Sequence, residues 1–144
     1  MGGLTLKGKK MKYINEISIM IIASMICGPV LAKSLEDRDQ EYAEYIEATG
    51  LRGIEEIISF KYSNSNPLSN KFLTIFANKD DKFLIELVEP CQQLYSSTSI
   101  HLDQFSDYKL SIKDAYVVNN RRCRIKSIYP LSNEQHIRIL EIMR

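Results

Sequence analysis

The residues of this sequence that are best suited to chemistry are two cysteines, two histidines and a run of basic side chains. Cys91 and Cys123 are the only cysteines after residue 32, and a pair of thiols can form a disulfide, exchange electrons or bind a metal. His101 is followed by Asp103 and Asp107, and such groups can move protons in acid–base catalysis. Further along, cations are clustered at Arg121, Arg122, Arg124 and Lys126. The spacing within each set indicates which chemistry it can support.

The two cysteines are spaced for a structural bond. Neither belongs to a Cys-x-x-Cys pair of the redox-active kind. No cysteine or histidine has a second ligand at the short spacing typical of zinc sites. In an oxidising compartment we therefore predict a disulfide between Cys91 and Cys123, with an exchangeable pair or free thiols as alternatives. Closing a loop of about 33 residues would stabilise the fold by roughly 3.7 kcal/mol. No metal and no cofactor is expected.

Established catalytic motifs are missing from the sequence. The two histidines do not form a His-Glu-x-x-His frame, and no Gly-x-Ser-x-Gly sequence is present. After residue 32 the only glycines are Gly50 and Gly53, so no glycine-rich loop can surround a phosphate. We therefore predict a non-enzymatic binding or structural module. The alternative is a periplasmic enzyme with an unrecognised site near His101, Asp103 and Asp107.

The basic run has the alternation of a strand. Arg122, Arg124 and Lys126 would share one face, and Cys123 and Ile125 the other, which predicts a buried cystine beneath a basic outer stripe. With Arg121, this stripe could attract an anionic partner. The other interpretation is a solvated strand face whose charges discourage pairing between sheets. The expected partner is an envelope protein or a small ligand, and not nucleic acid, because the formal net charge is only +1.

The N-terminal segment has the order of a secretory signal. Four lysines precede an uncharged apolar run, which is followed by Gly28-Pro29 and then by Val30-Leu31-Ala32. As a helix, residues 17–32 would reach about 24 Å, which is short of the roughly 30 Å hydrocarbon core of a bilayer. We therefore predict that residues 1–32 are a signal peptide cleaved between Ala32 and Lys33, with Met11 as a possible true start. The alternative is an inner-membrane anchor at residues 17–32, which would be the only membrane contact.

The charge is unevenly distributed along the chain. Residues 1–32 hold four lysines and one glutamate, which leaves 15 basic and 17 acidic residues in 33–144. The length of 144 residues, with 44% hydrophobic and 26% charged residues, is ordinary for one globular domain. We therefore predict one slightly acidic, disulfide-stapled α+β domain over residues 33–144, exported to the periplasm or secreted.

Hydrophobic periodicity and capping signals predict the helices and strands that carry these side chains. Ser34 can begin a surface helix that ends at Gly50, and Ser132 with Gln135 forms a capping box that opens a short C-terminal helix. A strand from 57 to 62 is expected to end in a polar loop at 63–67. Further predicted strands are 72–77 and 83–88, which form a hairpin, and 99–102, 115–118 and 122–129. The prediction is an α+β fold with a small antiparallel sheet or partly open barrel of five to six strands.

Two segments resemble motifs of a protein family. Pro90-Cys91-Gln92-Gln93-Leu94 and the segment that begins Cys123-Arg124-Ile125 and runs to Leu131 resemble a family of small exported bacterial proteins of unknown function. The resemblance covers roughly residues 50–140, with a Pro-Cys-x-x-Leu turn and a Cys-Arg-Ile-x-x-Ile-x-Pro strand. It implies export and the disulfide. Members often carry two further cysteines, where this chain has Gly50-Leu51 and Leu110-Ser111, so no second disulfide is implied. No activity or catalytic residue is implied either.

Overall fold

Two helices and eight strands make up the fold in the computed structural model, which describes residues 32–144. The predicted signal peptide and the alternative anchor at 17–32 lie outside the described residues, except for Ala32. In chain order the elements are α1 (Leu35–Thr49), β1 (Glu56–Ile58), β2 (Tyr62–Pro67), β3 (Phe72–Ala77), β4 (Asp81–Leu87), β5 (Ile100–Asp103), β6 (Lys109–Ser111), β7 (Ala115–Val118), β8 (Arg121–Leu131) and α2 (Asn133–Ile142).

The strands form one large and one small antiparallel sheet. Six of them are arranged in the order β2-β3-β4-β8-β7-β5 and curve into a half-barrel, and β1 pairs with β6. This arrangement confirms the predicted α+β fold with a partly open barrel, an N-terminal helix and a short C-terminal helix. The predicted hairpin is also confirmed, because β3 and β4 pair along their whole length.

The half-barrel buries side chains on both of its faces. The inner face carries the main core, with Leu73 and Ile85 fully buried, and Ile57 of β1 and Leu110 of β6 pack into it. On the outer face, both helices cover a second cluster around Phe72 and Leu84. Tyr42 of α1 and Ile139 of α2 are completely buried there. Because β3 and β4 are apolar on two faces, they are central strands, as their sequences predict.

Both helices begin at the residues that the capping signals indicate. The Ser34 hydroxyl accepts a hydrogen bond from the Asp37 backbone N–H at 3.1 Å, and the Asp37 carboxylate accepts one from the Ser34 N–H. Ser132 and Gln135 form the same reciprocal pair at the start of α2. Gly50 ends α1 with φ at +63°, a conformation that glycine adopts without steric cost.

The prediction for residues 57–67 was wrong in two respects. The strand expected from 57 to 62 is broken at Ser59, whose φ is +59°. The polar tract at 63–67, predicted as a loop, belongs to β2, which pairs with β3. Because β2 is an edge strand, it forms backbone hydrogen bonds on one side only, and its serines and asparagines remain in contact with water. For the same reason Pro67, which lacks a backbone N–H, removes no donor that the sheet requires. β6 was not predicted, because it has only three residues and is too short for a recognisable alternation.

The docking of α2 onto the sheet is expected to weaken in acid. The His136 ring meets the Phe76 ring edge-on, with centroids 5.3 Å apart. Burial lowers the pKa of His136 below its usual 6.5, and the nearby Lys82 cation lowers it further. The unfolded chain therefore binds a proton on His136 at a higher pH than the folded chain does. The contribution of neutral His136 to the free energy of unfolding is present in full above pH 6.5 and is lost as the pH falls from there through the folded-state pKa. Urea unfolding at about pH 7.5 and about pH 5 measures this loss.

Substitution of the two histidines tests the assignment of this pH dependence. His136→Gln should reduce the difference in stability between the two pH values, whatever it does to stability at neutral pH. His101→Gln, at a histidine exposed on the edge strand β5, is the matched control. An unchanged pH dependence in His136→Gln would show that other groups cause the loss.

Candidate functional site

A shallow cleft opens where the chain leaves β4 and where β8 begins. One wall is formed by residues 88–91 and the other by residues 121–124, around a volume of about 210 Å³. Two asparagines form the turn before β8, and Asn119 and Asn120 both adopt a left-handed conformation, with φ of 49° and 66°. Such a two-residue turn suits a tight hairpin, and it places Arg121 at the rim of the cleft.

The two walls of the cleft are held together by a covalent bond and a hydrogen bond. Cys91 and Cys123 are joined by a disulfide, with their Cα atoms 5.9 Å apart. The Val88 N–H donates to the Arg124 carbonyl at 3.0 Å. Both cysteines are buried, so the cystine forms the floor of the cleft. Although β8 is the last strand of the chain, it lies between β4 and β7. The disulfide therefore ties the end of β4 to its neighbour in the sheet.

The predicted basic stripe is present on β8. Arg122, Arg124 and Lys126 are exposed, while Cys123 and Ile125 alternate with them and are buried. The outward direction of the basic side chains follows from the period of two in a strand.

The stripe divides into paired and unpaired cations. Arg122 Nε lies 3.0 Å from an Asp103 carboxylate oxygen, and Lys126 Nζ lies 2.8 Å from Glu86 Oε1. Within residues 32–144, no carboxylate oxygen lies within 4 Å of the Arg121 or Arg124 guanidinium. Both unpaired arginines line the cleft, whereas Lys126 lies outside its walls.

The buried carboxylate that pairs with Lys126 was not predicted from the sequence. The Glu86 side chain is only 6% exposed, and its Oε1 is 2.8 Å from Lys126 Nζ and 3.5 Å from Lys71 Nζ. The Tyr129 hydroxyl donates to Oε2 at 3.0 Å. The hydrogen bond to Glu86 raises the pKa of Lys126, and burial raises the pKa of Tyr129. A glutamate inside the apolar strand sequence Phe-Leu-Ile-Glu-Leu was the signal that could have indicated this cluster. Each of the two Glu86 carboxylate oxygens therefore has a hydrogen-bond partner.

The three residues of the alternative enzyme site are not brought together. His101 is exposed on the edge strand β5, where its Nε2 lies 3.1 Å from the Ser99 hydroxyl. Asp103 pairs with Arg122, and Asp107 lies exposed in the turn before β6. In the part of the chain that the structure describes, no hydrogen bond or ion pair joins any two of the three. No group of three or more His, Cys, Asp or Glu side chains suited to a metal was found among residues 32–144.

An apolar tip, formed by the turn before β6 and the end of its partner strand β1, was also not predicted. Phe105, Tyr108 and Ile58 are 87%, 71% and 68% exposed. The buried Asp114 carboxylate anchors the tip, because it accepts hydrogen bonds from the backbone N–H of Phe105 at 3.0 Å and of Ser111 at 2.7 Å. The exposed aromatic side chains are therefore presented by a turn that is held at its base.

The fold and the site together define a small α+β half-barrel protein with an arginine-lined cleft whose walls are joined by a disulfide. The chain belongs to the family of unknown function DUF6491, which it matches over residues 11–141. No curated protein and no solved structure matches the chain. Membership in a family of unknown function agrees with the resemblance seen in the sequence, whereas the two motifs and the bacterial, exported character stay predictions. A search of the described helices for one long and apolar enough to span a membrane found none.

Proposed function

We propose that this protein is an exported, non-enzymatic binding module of the bacterial envelope, and that its arginine cleft takes an anionic group of a partner protein or small ligand. The observation that carries the proposal is the pair Arg121 and Arg124, which line a cleft and have no carboxylate within 4 Å among residues 32–144. Each planar guanidinium can form charge-assisted hydrogen bonds with an anionic group that enters the cleft.

The rigidity of the cleft supports a role in binding. Binding costs less conformational entropy when the walls of a site are already fixed. Here the Cys91–Cys123 disulfide and the hydrogen bond between Val88 and Arg124 fix both walls. The enzyme alternative has less support, because His101, Asp103 and Asp107 share no hydrogen bond or ion pair.

Export is supported by the disulfide, which is typical of oxidising compartments, and by the signal-like order of the N-terminal segment. The intact mass of the protein purified from an envelope fraction tests it. We expect a chain that starts at Lys33, with a mass about 2 Da lower than that of the reduced chain. A retained leader would contradict cleavage, and two thiols that react with an alkylating agent would contradict the disulfide.

Crosslinking in cells tests whether the cleft binds a partner protein. We expect at least one crosslinked species with the wild-type protein that is lost in the double variant Arg121→Glu/Arg124→Glu, because charge reversal repels an anionic group. The matched control reverses two exposed cations outside the cleft, Arg52→Glu/Lys79→Glu. Loss of the same species in the control, or its persistence in the cleft variant, would contradict a role of the cleft in the contact.

A further inference from the structure

We infer that the apolar tip, which carries Ile58, Phe105 and Tyr108, is a contact site for the surface of a bilayer of zwitterionic lipids. The three side chains enter the headgroup region in a peripheral contact. None of them lines the arginine cleft, so the inference goes beyond the proposed function and does not depend on it.

The three side chains are carried by two chain segments that lie side by side. Ile58 pairs with Lys109 at one end of the β1–β6 sheet, and the Phe60 N–H donates to the Tyr108 carbonyl at 2.8 Å. Phe105 precedes Tyr108 by three residues, just before the turn that leads into β6. Exposed apolar residues usually occur singly on a protein surface, and a group of them marks an interaction site. Here three lie at the same end of one small sheet.

Three backbone groups of the tip already have hydrogen-bond partners inside the protein. The Phe105 N–H donates to the buried Asp114 carboxylate, and the Gln104 side-chain amide donates to the Lys109 carbonyl at 3.2 Å. The Tyr108 carbonyl is paired as well. A backbone group without a partner costs free energy where water is scarce, so these bonds lower the cost of moving the tip into the membrane interface. They also hold the turn in place, which reduces the conformational freedom lost on binding.

The residue types and the exposed area fit a lipid surface better than a stable protein complex. Tyrosine is enriched at membrane–water interfaces, because its ring is apolar and its hydroxyl can stay in water. If an aromatic side chain has roughly 200 Å² of surface, the three side chains together expose about 400 Å². A stable protein complex buries about 800 Å² on each partner, whereas peripheral membrane binding simply strengthens with the apolar area buried.

The charges around the tip favour a zwitterionic surface over an anionic one. Within residues 55–61 and 103–113, the exposed charged side chains with no opposite charge within 4 Å among residues 32–144 are Glu55, Lys61, Asp107 and Lys113. The other exposed charges there form ion pairs. Two free cations and two free carboxylates match the phosphate and ammonium groups of zwitterionic headgroups, and they give no net attraction to an anionic leaflet. Asp107 also limits the depth, because a carboxylate is costly in hydrocarbon.

Binding to vesicles of phosphatidylcholine and phosphatidylethanolamine tests the inference, with protein purified from the envelope fraction. Phe105→Ala/Tyr108→Ala should bind about tenfold more weakly than the wild type. The matched control Tyr95→Ala/Ile137→Ala shortens two exposed apolar side chains elsewhere and should bind like the wild type. All variants share the same N-terminal segment, so its contribution cancels in the comparison. Adding phosphatidylglycerol or salt should change the affinity by less than about threefold.

A fluorescent reporter at the tip provides a second measurement, because the sequence contains no tryptophan. In Phe105→Trp, the emission should shift to shorter wavelength when vesicles are added, and lipids brominated near the headgroup should quench it. In the control Ile137→Trp, on α2, neither change is expected. The two readouts together separate insertion of the tip from adsorption through another surface.

Weaker binding of Phe105→Ala/Tyr108→Ala, an unaffected control and a shifted emission of Phe105→Trp would support the inference. It is overturned if the wild-type protein leaves the vesicles unbound, or if the tip variant and the control bind equally. Sedimentation that shows self-association through the tip, without vesicle binding, would assign the surface to a second copy of the chain instead. Binding that requires phosphatidylglycerol and disappears in salt would overturn the zwitterionic assignment. Each of these results leaves the arginine cleft to its own test.

Discussion

Replacing both Cys91 and Cys123 by alanine is expected to lower the free energy of unfolding by about 4 kcal/mol at 25 °C. Most of this loss comes from the unfolded state. The bond closes a loop with a sequence separation of 32 residues, and without it the unfolded chain gains roughly 3.7 kcal/mol of conformational freedom in the chain-entropy treatment. A smaller part comes from packing, since both sulfur atoms lie in the main core beside the residues of β8.

Chemical denaturation measures this loss, and reduction of the wild-type protein separates its two causes. The double variant should also have a larger m-value, because its unfolded state is more expanded. Reduced wild-type protein keeps the sulfur atoms and lacks the bond, so it should lose nearly as much stability as the double variant. A loss below about 1 kcal/mol in both would mean that the bond contributes little and that the walls of the cleft are held by the sheet alone.

The second large effect is expected at Glu86, where substitution by glutamine should lower the free energy of unfolding by about 2 to 3 kcal/mol at neutral pH. The side chain is 6% exposed, and its two carboxylate oxygens are shared among Lys71, Lys126 and the Tyr129 hydroxyl. Glutamine has nearly the same shape but no charge, so both lysines lose their counter-ion. The effect is below that of a fully buried pair, because Lys126 is itself 55% exposed and can turn toward water.

The matched control is Glu89→Gln, the same substitution three residues further along the chain at an exposed position. Since no basic group among residues 32–144 lies within 4 Å of the Glu89 carboxylate, this variant should stay within about 0.5 kcal/mol of the wild type. Equal effects at the two positions would contradict a stabilising role of the buried cluster.

Features that depend on neighbours along the chain could be predicted from the sequence. Both helix starts follow from capping boxes at Ser34 and Ser132, because a serine side chain must satisfy the free N–H groups of the first turn. The β3–β4 hairpin follows from two apolar runs joined by a short polar connection. The alternation along β8 likewise places Arg122 and Arg124 on one face and Cys123 on the other.

Apart from the disulfide, the features that depend on residues far apart in the chain could not be predicted. The tract at 63–67 has the composition of a loop, and it forms a strand because the edge of β3 is available to it. The four basic residues near 121–126 look alike in the sequence, yet Asp103 engages Arg122 and Glu86 engages Lys126. This difference in pairing arises from Asp103 on β5 and Glu86 on β4, which precede Arg121 by at least 18 residues in the chain.

Short-range periodicity and backbone hydrogen bonding therefore specify the capped helices, the hairpin and the basic face of β8. The cystine follows from another local fact, that only two cysteines are present after residue 32. Three features emerge only from the folded chain: β8 lies inside the sheet between β4 and β7, the disulfide joins the two walls of a cleft, and, of the four basic residues at 121–126, Arg121 and Arg124 have no carboxylate partner among residues 32–144. These features depend on which strands become neighbours. That choice is made by long-range packing around the inner core, which no local pattern encodes.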